Sequence, residues 1–285
     1  MICLDTLKSS ANGCKDIEVL LDLPNDQYHA RQPWISRSTA FRYRGLAGGV
    51  HQRFEEVRGK RIFSGNAATG FGTLVDTAFE AVARGVDWRS QVAVPPAGVL
   101  AADGSRRGKA FTEWRQSLPA GSVECNAADF AKVADIIEAI REHKIARELL
   151  ESITHSQYSV FLTDAAGHQR KARADGVTAR EWFDLKTTSS EWPDLRYSFA
   201  RFGYHWQAAW YSHAAAACGW EPFTFRFVVV QANPPHEVRV VSLSPASLAR
   251  AEAEIAETLD KIRERRESGE YVPEAYHEEF VLDLF

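Results

Sequence analysis

Gln169-Arg-Lys-Ala-Arg-Ala-Asp175-Gly-Val177, a short turn at Thr178-Ala-Arg180, and then Glu181-Trp-Phe-Asp184-Leu-Lys186-Thr-Thr188 form the stretch on which the reading of this chain turns. Both runs have the character of short strands. Successive side chains on a strand leave opposite faces, so Asp184 and Lys186, two apart, share one. A hairpin through the turn brings Asp175 back alongside them. Hard carboxylate oxygens suit Mg²⁺ or Mn²⁺, and such an ion activates water and stabilises charge on a phosphate. Two carboxylates and a lysine in this arrangement can therefore hold a divalent metal against a phosphodiester. The same three residues also fit an exposed cross-strand ion pair, worth about 0–1 kcal/mol.

Acid-x-Lys occurs a second time, at Glu142-His143-Lys144. There the apolar residues Phe130, Val133, Ile136, Ile137 and Ile140 recur at helical spacing, which puts those charges on the solvated face of a helix spanning 127–152. Another helix is expected after Thr69, ending at Gly85, with Leu74, Val75, Ala78, Phe79 and Val82 inward; Asp76 and Glu80 then lie one turn apart on its opposite side. Strands are expected near 157–163, 169–177 and 181–187, followed by a variable loop over 188–200. Gln207 and Tyr211, four apart, share a face of a helix that stops at Gly219. Strands near 223–231 and 236–243 and a last helix opened by Ser244-Pro245 complete the pattern. This order implies an α/β fold, a central mixed sheet flanked by helices. Residues 1–24 read as a loosely attached lead-in and 25–285 as a single domain.

With 285 residues, 45% of them hydrophobic, the chain can bury a large core. It has no membrane-length apolar run and no signal-like N-terminus, and its four scattered cysteines form no CxxC pair. A cytoplasmic protein without a zinc ribbon is expected. The net charge of −4 hides a strong asymmetry. Residues 31–61 carry eight basic side chains against Glu55 and Glu56, a local balance of +6, interleaved with Trp34, Phe41, Tyr43 and Phe54. That mixture suits phosphate contacts and base stacking, and equally a solvated face. Arg37, Arg42 and Arg44 from this run, with Lys171 and Arg173 beside the proposed metal, are the candidate DNA contacts.

Over a longer span the chain resembles the RecE-type, exodeoxyribonuclease VIII-like members of the PD-(D/E)XK superfamily. The resemblance is carried by Asp184-Leu-Lys-Thr-Thr-Ser-Ser190, Tyr204-His-Trp-Gln207-Ala-Ala-Trp-Tyr211 and Phe225-Arg-Phe-Val-Val-Val-Gln231. Upstream, Tyr28-His29 with Ile35-Ser-Arg37-Ser38, and Gly72-Thr-Leu-Val-Asp76, are similar to the family's opening segment and its Gly-x-x-x-His helix start. It implies a PD-(D/E)XK core with Asp175, Asp184 and the Leu185 carbonyl as ligands of Mg²⁺ or Mn²⁺. Lys186 would act on the attacking water, and Gln207 and Tyr211 would place the scissile strand. Also implied are action on double-stranded DNA ends with 5′ to 3′ polarity, a toroidal homo-oligomer, and a single-strand annealing partner in phage-type recombination. Two positions depart from the pattern. Asp76 stands where the family has a histidine ligand, and Gln157 where it often has a glutamate, which leaves Glu80 as a substitute and reduced activity as an alternative.

Overall fold

Strand 224–231 is largely apolar and 181–188 has consecutive buried residues on both faces, the signature of a sheet covered on both sides. A computed structural model describes residues 2–9, 13–45, 67–119, 121–220 and 224–269. Its strands are β1 (Ile2–Ser9), β2 (Lys15–Leu21), β3 (Ile35–Ser36), β4 (Val92–Ala93), β5 (Val123–Glu124), β6 (His155–Thr163), β7 (Gln169–Val177), β8 (Glu181–Thr188), β9 (Thr224–Gln231) and β10 (Val238–Val241). Its α-helices are α1 (Asn25–Ala30), α2 (Arg37–Gly45), α3 (Ala67–Ala83), α4 (Lys109–Ser117), α5 (Ala127–Glu142), α6 (Lys144–Glu151), α7 (Leu195–Arg201), α8 (Tyr204–Ala217) and α9 (Pro245–Ser268).

The main sheet runs β1-β2-β6-β7-β8-β9-β10, with β3 added against β7. Pairing is antiparallel except for β8 with β9 and β3 with β7, so the sheet is mixed, as the sequence implied. β4 and β5 form a separate parallel pair. Trp182, Phe225, Phe227 and Val229 face α8 and α9, where Trp206, Trp210, Ile255 and Leu259 meet them. The alternate residues Phe183, Leu185, Val228 and Val230 face α3 and α5, against Val75, Phe79, Ile136 and Ile140. Among the described residues no helix is long and apolar enough to cross a membrane.

Three expectations change. The described part of residues 1–24 is no loose lead-in: β1 and β2 extend the main sheet through β6, and Cys14 and Ile17 are fully buried. The single long helix over 127–152 is two, because His143 takes an extended backbone (ψ 114°) and its Nδ1 caps the next helix by accepting from Ala146 N–H at 3.2 Å. Glu142-His143-Lys144 is thus a helix junction. The loop expected at 188–200 contains α7, whose Phe199 packs edge-on to Phe227 at 5.1 Å.

One packing detail bears on the site. Gly176 lies directly beneath the ring of Phe183, and any Cβ there would overlap it. Phe183 is held in turn by an edge contact with Phe79 at 6.0 Å. Gly176→Ala is expected to lower stability by about 1–3 kcal/mol through overpacking, read as a shifted urea midpoint at constant m.

Candidate active site

β7 and β8 part where their acidic residues stand. Their backbone pairing covers Gly176 with Phe183 and Val177 with Trp182. One step further on, the Leu185 N–H donates to Oδ2 of Asp175 at 2.9 Å, so a carboxylate takes the place of a ladder partner. The same edge of β7 is occupied near its start by β3, at Arg170 and Lys171. Between β3 and β8 the edge is split, and the site lies in the split.

Asp184 and Lys186 share the α8-facing side, as alternation requires. Asp184 is 3% exposed, with Oδ1 accepting from Nε2 of Gln207 at 2.7 Å and Oδ2 ion-paired with Lys186. Lys186 Nζ also donates to the Leu185 carbonyl at 3.3 Å and lies 5.3 Å over the Tyr204 ring. Gln207 is equally buried, and its Oε1 accepts from Nη2 of Arg37 at 3.0 Å. Tyr211, one turn beyond, packs its ring edge-on against Phe225 at 5.2 Å, and burial pushes its phenol up, so it stays neutral.

Three carboxylates share this neighbourhood. Burial raises Asp175, against the pull of Lys186 and the Leu185 N–H. Asp76 on α3 is pushed up by the enclosing protein, then by Asp175 and Glu80, against Lys186. Because Asp76 is exposed, water moderates the contribution of burial, and its acidic neighbours are the firmer cause. Lys186 is lowered by burial while Asp175 and Asp76 hold its charge. The donor chemistry, carboxylates with the Leu185 carbonyl, fits a hard divalent cation. Among the described residues, however, no three His, Cys, Asp or Glu side chains already converge as a metal cage. Asp184 is instead engaged with Lys186 and Gln207.

A family model described as a PDDEXK-like domain of unknown function (DUF3799) matches residues 49–275. The chain belongs to this family. The fold agrees with that of a solved Eubacterium rectale protein described as a "putative exonuclease". The two share 17% sequence identity and a TM-score of 0.62, over 93% of this chain and 96% of that one. No curated protein matches.

Within this PDDEXK-like domain several expected site residues have other work. Lys171 is buried, and its ammonium donates to the carbonyls of Tyr28 (2.9 Å), His29 (3.2 Å) and Arg31 (2.9 Å), closing the C-terminal end of α1. Arg173 donates to Ser159 Oγ at 3.0 Å and the Leu23 carbonyl at 2.8 Å and lies 4.1 Å over the Tyr28 ring. Lys171 is an internal strut and Arg173 a half-buried one, and these bonds commit donors that the expected DNA contacts would use. Charge counting missed this because it cannot see which cations are consumed by backbone carbonyls. Lys171→Met is expected to cost about 1–3 kcal/mol of stability, by urea denaturation, and to leave the salt dependence of duplex binding unchanged.

Arg44 is exposed, ion-paired with Glu254 at 3.3 Å and set over Trp206 at 5.6 Å; Arg42 is half-buried on the same helix. The rest of the basic run, from residue 46 to 61, lies outside the described residues. Glu80 pairs with Arg84 at 2.6 Å, which also holds Asp22 and Ser156. Gln157 sits across from Asp175, between the pairs Ser156–Gly176 and Tyr158–Ala174, with a φ of 50°. Left-handed backbone at a non-glycine residue is uncommon inside a strand and clusters at functional sites.

Proposed function

We propose that this chain is a metal-dependent deoxyribonuclease that removes nucleotides from the ends of double-stranded DNA. The observation that carries the reading is the trio of buried Asp184 and Gln207 with half-buried Lys186, joined through the Asp184 carboxylate, one strand away from Asp175. Asp175, Asp184, Asp76 and the Leu185 carbonyl would hold Mg²⁺ or Mn²⁺, which when bound supplies an activated water and neutralises charge on the phosphate. Lys186, whose ammonium lies among these acids, orients that water and offsets negative charge as it builds on the phosphoryl oxygens. Gln207 fixes the rotation of the Asp184 carboxylate. Tyr211, neutral and one helical turn away, helps seat the scissile strand. The water oxygen bonds to phosphorus as the P–O3′ bond breaks, the proton ends on O3′, and the phosphate stays on the 5′ side.

The resemblance to RecE-type exonucleases supports 5′ to 3′ polarity, a toroidal homo-oligomer around DNA, and a single-strand annealing protein as partner in phage-type recombination. End-labelled linear duplex and covalently closed circular DNA, each incubated with Mg²⁺, Mn²⁺ or chelator, test the reading. Loss of linear DNA alone, with metal only, is expected, and the label reports polarity. Cutting of the circle would assign an endonuclease instead. One observation favours a second reading, a DNA-binding or assembly protein with weakened catalysis: Asp76 places a third carboxylate beside Asp175 where the family has a histidine. Under that reading Asp76→His raises cleavage; under the first it leaves an active enzyme no faster.

A further inference from the structure

The Gln207 amide has two unlike ends, an acceptor oxygen and a donor nitrogen. Partners of opposite sign use both: Oε1 accepts from Arg37 at 3.0 Å, and Nε2 donates to Asp184 at 2.7 Å. Turning the amide over would set its oxygen against a carboxylate and its NH₂ against a guanidinium. Both bonds would be lost where Gln207 and Asp184 are each 3% exposed. Asp184, ionised beside Lys186, is an acceptor only and favours this orientation from one side. Arg37 enforces it unconditionally, since a guanidinium is always a donor and never an acceptor. Its own place is fixed as well. Arg37 is the first residue of α2, directly after β3, which is registered on β7. Its other arm donates to the Phe202 carbonyl at 3.0 Å, at the corner before α8.

We propose that Arg37 is a positioning residue: it locks the Gln207 amide so that Gln207 always donates to Oδ1 of Asp184, which sets that carboxylate's rotation and leaves Oδ2 for the Lys186 side. Its effect on metal and cleavage rests on the nuclease reading above; the Arg37–Gln207–Asp184 relay itself does not. The charge pattern of the sequence cast Arg37 as a phosphate contact, yet two of its nitrogens are bonded to protein oxygens.

The test is a cycle of Arg37→Met, Gln207→Leu and the double variant, with Arg37→Lys beside it. Three quantities are read: Mn²⁺ affinity by calorimetry without DNA, duplex affinity against salt in chelator, and melting temperature in chelator. Arg37→Met is expected to weaken Mn²⁺ binding roughly tenfold, the usual effect of losing a residue that orients a ligand, with duplex affinity and its salt slope unchanged. In the Gln207→Leu background Arg37→Met should add nothing. Arg37→Lys, a point donor without the fork that spans Gln207 and Phe202, should fold and recover only part of the affinity. A weaker duplex affinity with the salt slope reduced by about one, at unchanged Mn²⁺ affinity, would overturn the proposal in favour of phosphate contact. Equal cost of Arg37→Met in both backgrounds would overturn it too. A wild-type protein that binds no Mn²⁺ fails the nuclease reading by itself. The melting cycle then still decides the relay: additive effects refute it and non-additive effects uphold it.

Discussion

Asp184→Asn is expected to reduce cleavage by a factor on the order of 10³ or more, while the metal-free protein melts no lower than wild type. The first half follows from removing the carboxylate that Gln207, Lys186 and a metal would all use. The second follows from crowding. Asp76, Asp175 and Asp184 surround one ammonium, so an isosteric neutral residue at 184 relieves repulsion and leaves Lys186 with two acidic neighbours. Lys186→Met should abolish cleavage equally but lower the melting temperature in chelator, because the acids then face one another uncompensated. Cleavage assays paired with thermal melts separate the two variants. Equal melts would contradict the charge arrangement described here. A site whose inactivated form is as stable as the active one, or more so, is a common result of holding like charges together for function.

The second large effect is at the other end of β7 from Asp175. Asp164 closes the β6–β7 turn with Oδ1 accepting from the N–H groups of Ala166 (3.0 Å) and His168 (2.9 Å). Its Oδ2 meets Arg170 at 2.6 Å and the His168 ring at 3.2 Å. His168 continues to Asp260 on α9 at 3.1 Å, which ties the turn to the last helix. Burial would raise the Asp164 carboxyl, but these donors and the Arg170 charge override it and hold it well below the usual carboxylate range. A carboxyl depressed in the folded state contributes stability that is present above its unfolded value, about 3.9, and is lost as pH falls through the folded value. Asp164→Asn should therefore cost about 3–5 kcal/mol at neutral pH, since it strands a buried guanidinium. The deficit should shrink as the pH is lowered below about 4. Urea titrations of both proteins across that range check this, and a pH-independent deficit would remove Asp164 from the ionised state assigned to it.

Much of this architecture was legible because it is written in local periodicity. The β7–β8 hairpin, the Gln207/Tyr211 helix and the doubly buried β9 all follow from spacing and apolar runs. Asp184 and Lys186 could be paired from spacing because they lie on one strand face; Gln207 joined them only through the family resemblance, since helical spacing does not show that α8 covers that face. The parts that were not legible depend on contacts between distant segments. β2 looks like any short apolar run until β6 accepts it, and β3 is only two residues long. Nothing in the spelling of Arg-Lys-Ala-Arg at 170–173 shows that Lys171 will close α1 or that Arg170 will be taken by Asp164. Basic residues at strand positions that also carry core were over-read as surface. The glycine after Asp175 had a physical reason, the ring of Phe183, that only three-dimensional packing displays.

Parallel neighbours in a sheet cannot be joined by a tight turn, and β8 and β9 are parallel along eight residue pairs. The chain that must return from the end of β8 to the start of β9 is α7 and α8, and α8 is the element that carries Gln207 to Asp184. Both ends of that excursion are pinned: Asp184 by its strand, and Gln207 by Arg37 and by a helix whose Trp206 and Trp210 are fully buried. The few residues between Thr188 and Leu195 span two anchors that do not depend on their length. Lengthening there would be inexpensive, since closure entropy grows only logarithmically with loop size. Insertions at this point would thus add new surface beside the site and leave the Asp184–Gln207 geometry as it is.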